Sequence, residues 1–152
     1  VWDLHRRRAL FRIGARQAFD STGTHGPVDS IAVAPSNGFI AAAVRRSRQS
    51  TVTRLHLWTI NGAHVATAGV PSQLESLVFT SGPEGLSRNV LMGGLSDGTL
   101  RVWDAWDLAS VAAYNQHKTA ISAIWISPDN SSFFSGDAAG NVLQWTRQKA
   151  AR

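Results

Sequence analysis

The sequence predicts an all-β protein that forms part of a β-propeller, and two observations carry this prediction. Four of the six tryptophans close similar strand-like stretches, namely Trp2 in VWDL, Trp58 in LHLWTI, Trp103 in LRVWDA and Trp145 in VLQWTR. The last three are spaced by about 45 and 42 residues, which is the length of one four-stranded blade. Alternating apolar and polar residues fill the intervals, and no stretch keeps the apolar spacing of a helix.

The turns between these stretches divide the chain into four units. Asn61-Gly62, between two alternating runs, is the strongest hairpin signal in the sequence. We expect the end of one blade, two complete blades and three strands of a fourth, at residues 1–24, 25–69, 70–116 and 117–152. Because a closed ring needs about four to eight blades, this chain is expected to form an open arc. Its ends should present unpaired strands, so we do not expect the segment to be stable alone.

The composition limits the class of protein. Hydrophobic residues make up 43% of the 152 residues and charged residues 16%, so the chain is expected to fold. The absence of cysteine excludes disulfides, cysteine zinc ligands and cysteine nucleophiles. No apolar run reaches the ~20 residues of a membrane-spanning helix, and no signal peptide opens the chain. The opening VWDLHRRRALF reads as the middle of a unit, which suggests a fragment of a longer polypeptide.

The stretch GLSDG at 94–98 fits the G-x-S-x-G pattern of serine hydrolases, with Ser96 as the nucleophile. In those enzymes a helix must follow the serine, whereas TLRVWDA reads as a strand. We therefore interpret GLSDG as the tight turn between two strands of a blade. The chain is not expected to be an enzyme.

The units resemble the WD-repeat β-propeller family in a histidine before the first strand, an SPDG-like turn, a Ser-Gly-x-x-Asp-Gly turn and a closing Trp-Asp. In that family His, Ser or Thr, Asp and Trp form a hydrogen-bonded tetrad inside a blade. The resemblance implies these structural residues here: His25 and Trp58 in the second unit, Asp97 and Trp103 in the third, and His117, Ser135 and Trp145 in the fourth. We expect no unit to be complete. Gly93 takes the serine place in the third, and Ala139 the aspartate place in the fourth, with Asp137 two positions too early.

Within that family, LHLWTINGAHVAT and FFSGDAAGNVLQWT resemble the C-terminal propeller of the BEACH–WD, neurobeachin-like scaffold proteins. The resemblance implies a non-catalytic scaffold for protein–protein interaction in vesicle traffic or autophagy. It also implies an upstream PH-like segment and BEACH domain, protein partners in membrane-associated complexes, and a cytoplasmic location, peripheral to endosomal or autophagic membranes.

Positive charge is concentrated in the first 60 residues of a chain whose formal net charge is +5. Arg45, Arg46 and Arg48 lie in a loop between second and third strands, whereas Arg6 to Arg8 follow a third strand, at the opposite face of the disc. The first loop is a candidate site for an acidic peptide or a phosphoinositide. A nucleic-acid-binding fragment is the alternative, but the division between two faces disfavours it.

The remaining aromatic and histidine residues give one more candidate. Trp106 falls outside the repeat register in a DAWDL turn, so it is a candidate partner contact. Trp125 alternates with two isoleucines, and its face in the sheet decides between packing and exposure. His56 and His64 flank a hairpin and are expected to face outwards. No histidine spacing fits a metal site, and no cofactor is expected.

Overall fold

The computed structural model describes residues 2–3, 8–9, 26–34, 38–81 and 89–146, and in these ranges every regular element is a β-strand. The strands are β1 (Trp2–Asp3), β2 (Arg8–Ala9), β3 (Val28–Val33), β4 (Phe39–Arg45), β5 (Thr53–Thr59), β6 (His64–Val70), β7 (Leu74–Ser81), β8 (Asn89–Leu95), β9 (Leu100–Asp104), β10 (Ser110–Tyr114), β11 (Ile121–Ile126), β12 (Ser132–Asp137) and β13 (Val142–Thr146).

Each sheet is an antiparallel meander in which consecutive strands pair. The order is β1-β2, then β3-β4-β5-β6, then β7-β8-β9-β10, and finally β11-β12-β13. We call these sheets blades 1 to 4 in chain order. The all-β prediction and the open, partial propeller are confirmed. The limits of the four units remain a prediction.

Short turns set the register of the strands. Between β5 and β6, Gly62 has a φ of 89°, the left-handed region that glycine enters without a steric penalty. Its N–H donates to the Thr59 carbonyl at 2.9 Å, and the Thr59 N–H donates to the Ala63 carbonyl at 2.8 Å. The Asn-Gly signal in the sequence therefore marks the hairpin that it predicts.

Apolar side chains from facing sheets form the core. Blades 2 and 3 share one cluster, whose fully buried members include Leu55, Leu57, Leu74 and Leu91. Blades 3 and 4 share a second cluster around Leu100 and Ile121. Small residues at positions 41–43 of β4 let the sheets approach closely, since all three are alanines with at most 6% exposure.

The first strands of successive blades lie side by side, as β7 contacts both β3 and β11. Thr53 at the start of β5 is fully buried, and its Oγ1 accepts a hydrogen bond of 3.2 Å from the N–H of Leu74. This bond joins blade 2 to blade 3 in addition to the apolar contacts. Blade 2 is therefore joined to blade 3, and blade 3 to blade 4, through their first strands.

Several large apolar side chains are exposed on blades 2 and 4. Ile31 and Val33 on blade 2 are 63% and 54% exposed, and Trp125 and Val142 on blade 4 are 55% and 70% exposed. Trp125 contacts the ring of Phe134 on the side of the sheet away from blade 3. The sequence left the face of Trp125 undecided, and the structure places it on this exposed face.

Candidate interaction surfaces

A hydrogen-bond network joins β12 and β13 of blade 4 to the loop that precedes this blade. His117 Nε2 lies 2.7 Å from Ser135 Oγ, and Trp145 Nε1 donates to the same oxygen at 2.8 Å. On the other side of the ring, His117 Nδ1 lies 3.0 Å from Asp137 Oδ2. Because a carboxylate accepts, Nδ1 carries the proton, Nε2 accepts from the Ser135 hydroxyl, and that hydroxyl accepts from the indole.

Asp137 completes this network, so the expectation that blade 4 lacks its aspartate is wrong. The family pattern places the carboxylate at Ala139, which lies in the turn after β12. Asp137 instead ends β12, two residues after Ser135, and side chains two apart in a strand share a face. The sequence contained this signal, since SGD places Ser135 and Asp137 at that spacing.

The same carboxylate also organises the following turn. Oδ1 of Asp137 accepts from the backbone N–H of Ala139 at 3.1 Å and from that of Asn141 at 2.9 Å, and the Asn141 side-chain amide donates to both oxygens. Hydrogen bonds from Asn141, and then the bond from His117, hold the pKa of Asp137 well below its usual range. Asp137 is therefore a carboxylate at neutral pH.

Ser135, His117 and Asp137 have the connectivity of a catalytic triad, but the geometry does not allow catalysis. Ser135 is 1% exposed, and its Oγ already bonds both the imidazole and the Trp145 indole. A substrate carbonyl would have to displace the indole inside the sheet. The network stabilises the blade.

Blade 3 replaces the network with two separate arrangements. Gly93 takes the serine place, and a Cβ there would lie 2.8 Å from Trp103 Cζ3, so the buried indole occupies the space of a side chain. Asp97 is exposed in the turn after β8, where Oδ2 accepts from Ser72 Oγ at 2.9 Å and Oδ1 from the Thr99 N–H at 2.9 Å. A serine of the preceding loop thus takes part of the histidine's role.

Ser96, the candidate nucleophile of GLSDG, lies exposed in that same turn between β8 and β9. Its N–H donates to the Gln73 carbonyl at 2.8 Å. A strand follows the serine, as the sequence interpretation required, so this segment has the structure of a blade turn.

Among its described residues, blade 2 carries a cluster of two histidines beside Trp58. The predicted tetrad histidine, His25, lies outside the described residues. The position that corresponds to Ser135 of blade 4 is occupied by Ala42, which pairs with His56 of the next strand. His56 is fully buried, stacks on Trp58 at 5.4 Å, and its Nδ1 lies 3.0 Å from Thr67 Oγ1. The expectation that His56 faces outwards is therefore wrong, because it shares a strand face with Trp58, two residues away.

The second histidine of that cluster, His64, is exposed as expected, and its Nε2 lies 2.9 Å from Thr67 Oγ1. Burial first, and then the charges of His64 and Arg54, lower the pKa of His56 to about 4. His56 is thus neutral at physiological pH.

The three arginines of the loop from Arg45 to Val52, which we call the basic loop, have different surroundings. Arg45 Nε forms an ion pair of 2.7 Å with Asp29 Oδ2, and its Nη1 donates to the Arg48 carbonyl at 3.1 Å. Arg46 and Arg48 are exposed. Arg45 therefore stabilises the basic loop through these contacts, whereas Arg46 and Arg48 are exposed to solvent.

Trp106 lies at the opposite end of the strands, in the turn between β9 and β10. Its N–H donates to Asp104 Oδ1 at 2.7 Å, and the Ala109 N–H donates to Asp107 Oδ1 at 2.8 Å. Leu108 adopts a φ of 60°, unusual for a residue with a side chain, and is buried in the core between blades 2 and 3. These contacts fix the turn, and the Trp106 side chain stands 65% exposed.

Phe39 of blade 2 supports the exposed indole from the neighbouring blade. The two ring centroids are 5.7 Å apart at an interplanar angle of 90°, a favourable edge-to-face geometry. Trp106 is thus held at the boundary between two blades, which the sequence could not indicate.

The described residues contain neither a metal-binding cluster nor a membrane-spanning helix. In those ranges no group of three or more His, Cys, Asp or Glu side chains is arranged to hold a metal ion. Across the same part of the chain, no helix is long and apolar enough to cross a membrane.

Comparison with known proteins agrees with this architecture. The family described as WD domain, G-beta repeat matches residues 108–146, which contain the His117–Trp145 network. The human lysosomal-trafficking regulator is 28% identical over 154 residues, covering 100% of this chain and 4% of that protein.

Two further proteins show more limited similarity. The protein transport protein SEC31 of Meyerozyma guilliermondii is 25% identical, covering 75% of this chain and 10% of that protein. Transcription initiation factor TFIID subunit 5 of Caenorhabditis elegans is 37% identical over 57 residues, 38% of this chain and 9% of that protein. The chain thus spans a tenth or less of the length of the curated relatives it matches. With its antiparallel four-stranded sheets and its blade-4 network, this chain has the fold of a partial β-propeller, and residues 108–146 match a WD repeat.

Proposed function

We propose that this chain is a non-catalytic interaction module and that a protein partner docks on the turn that displays Trp106. The observation that carries the proposal is the 65% exposure of this indole on a turn that its own hydrogen bonds and the buried Leu108 hold fixed. Tryptophan is enriched among the residues that dominate protein interfaces, because burying it removes a large apolar surface from water.

Preorganisation supports the same site. A partner that covers Trp106 does not have to order the turn, because Asp104 and Asp107 already hold it through backbone bonds of 2.7 and 2.8 Å. The entropy cost of ordering a loop on binding is therefore largely avoided. The contact with Phe39 also restricts the indole before binding. Less conformational entropy is therefore lost when a partner buries the ring, and the binding affinity is higher.

The biological setting we propose is membrane traffic, as part of a longer scaffold. Its support is the likeness to a lysosomal-trafficking regulator and to a protein transport protein. BEACH-type architecture with an upstream PH-like segment, an autophagic role, and a cytoplasmic location beside endosomal membranes belong to this proposal and rest on the family resemblance.

The test compares the partners of the intact polypeptide that contains this segment with those of its Trp106→Ala variant, by quantitative affinity purification. We expect the recovered amount of at least one partner to fall about tenfold or more, since tryptophans that dominate an interface contribute about 2 kcal/mol or more to the free energy of binding. Val65→Ala is the matched control, because Val65 is 38% exposed on a strand far from this turn in sequence. Recovery of every partner at the wild-type level with Trp106→Ala would contradict the proposal.

A second candidate surface is the basic loop. Arg46 and Arg48 are exposed there, and the hydrogen bond from Arg45 to the Arg48 carbonyl stabilises the loop. An acidic peptide or an anionic lipid headgroup fits that chemistry. Charge reversal with Arg46→Glu and Arg48→Glu should abolish binding to an acidic peptide or to phosphoinositide-containing vesicles. Unchanged binding to both ligands would remove this candidate.

A further inference from the structure

One hydroxyl of the basic loop has a distinct position relative to its arginines. Of all the serines and threonines in the sequence, Thr51 alone has a lysine or arginine three residues before it, namely Arg48. Arg46 lies five residues before it, and the apolar Val52 directly follows. Protein kinases that select arginine use acidic subsites at these two positions, and many place an apolar residue after the acceptor.

The structure makes this sequence available to an enzyme. Arg46, Arg48, Thr51 and Val52 are all exposed, and Val52 is 53% exposed despite its apolar side chain. Residues 50–52 lie outside the regular strands. A kinase groove that binds extended chain can therefore engage the acceptor without opening the sheet.

The other two hydroxyls of the loop are less suitable acceptors. Ser50 is half-buried, and its Oγ bonds the N–H and the carbonyl of Val52 at 3.2 and 3.3 Å. Ser47 is exposed but has only valine three residues before it. The geometry thus distinguishes Thr51 from its neighbours.

We propose that Thr51 is a phosphorylation site for an arginine-directed protein kinase. Thr51 Oγ1 attacks the γ-phosphorus of Mg-ATP, and the hydroxyl proton passes to the catalytic aspartate of the kinase. An oxygen–phosphorus bond forms at Oγ1, the bond from the γ-phosphorus to the β,γ-bridging oxygen breaks, and ADP leaves. The product carries a charge of about −2 at pH 7 beside the exposed guanidinium groups.

The modification has a direct electrostatic consequence. The phosphate offsets the charge of Arg46 and Arg48 and accepts charge-assisted hydrogen bonds from them, so the basic loop loses its attraction for anionic partners. Only this consequence rests on the proposed function of the loop. The modification itself does not depend on whatever partner the chain binds.

In the test, the folded intact polypeptide that contains this segment is incubated with Mg-ATP and a purified kinase that selects arginine three and five residues before the acceptor. Mass spectrometry should locate the phosphate on Thr51, and Thr51→Ala should remove it. Arg48→Ala should lower the initial rate about tenfold or more, since an ionic hydrogen bond to the kinase is lost. Because Arg48 receives the Arg45 bond through its backbone carbonyl, this variant keeps the loop contact.

Arg54→Ala is the matched control, since Arg54 is exposed on the adjoining strand but lies outside the two kinase positions. Its rate should equal that of the wild type. Phosphate mainly on Ser47 or Ser50, a rate unaffected by Arg48→Ala, or modification only of heat-unfolded protein would each overturn the proposal. Partner binding through Trp106 is measured separately, so failure of one proposal leaves the other intact.

Discussion

Replacing Ser135 with alanine tests the structural account of blade 4 most quantitatively. The hydroxyl donates to His117 Nε2 at 2.7 Å and accepts from Trp145 Nε1 at 2.8 Å, and Ser135 is 1% exposed. The alanine variant leaves the imidazole nitrogen without a donor and the indole N–H without an acceptor. A buried polar group left unpaired costs about 1–3 kcal/mol, and the indole is only partly buried, so we expect a total loss of about 2–4 kcal/mol.

Hydrogen exchange of the intact protein, followed by mass spectrometry, measures this loss within the blade. Amides of β12 and β13 that exchange by opening of blade 4 should exchange about 30-fold faster or more, while those of blade 2 keep their rates. Ser122→Ala is the matched control, because Ser122 is exposed in the same sheet with a weak hydrogen bond of 3.4 Å. Protection in Ser135→Ala equal to that of the control would refute the reasoning that the network stabilises the blade.

Three further predictions follow from the structure. Gly94→Ala should lower the free energy of unfolding in urea by about 1–3 kcal/mol, because the added Cβ would lie 2.5 Å from Ile121 Cγ2 at the contact of blades 3 and 4. Gly136→Ala is the control and should not destabilise the protein in this way, because a Cβ there would have nothing within 4 Å. Equal losses in the two variants would contradict the close packing at Gly94. Because the pKa of His56 is lowered in the folded protein, the unfolded chain binds a proton there more readily, and the free energy of unfolding should decline as the pH falls from about 6.5 towards 4. His56→Gln should lose this pH dependence in thermal melting curves. An unchanged dependence of the melting temperature on pH would contradict the lowered pKa of His56. No serine should react with a fluorophosphonate probe, and labelling of Ser96 would reopen the hydrolase interpretation.

The sequence predicted those features that depend on local periodicity and turn chemistry. Trp58, Trp103 and Trp145 mark the third strands of blades 2, 3 and 4 because a repeat places the same packing position at a similar interval. Asn61-Gly62 forms its hairpin for a reason confined to two residues. Such features need no knowledge of distant contacts.

Features that depend on contacts between strands were harder to predict. The family's motif spacing assigned the aspartate to Ala139, whereas strand alternation places Asp137 on the face of Ser135. The same alternation places His56 on the face of Trp58, whereas its position beside a hairpin suggested an outward orientation. The ion pair of Arg45 with Asp29 joins residues 16 apart, and no local pattern indicates it.

Radical footprinting of the intact protein tests whether a bound partner buries Trp106. Indole oxidation is measured for the protein isolated with its partners, and again after the partners are removed. We expect Trp106 to be protected in the assembly and to become reactive once the partners are removed, in keeping with its 65% exposure. Equal reactivity of Trp106 in the partner-bound and the partner-free protein would contradict the proposed docking site.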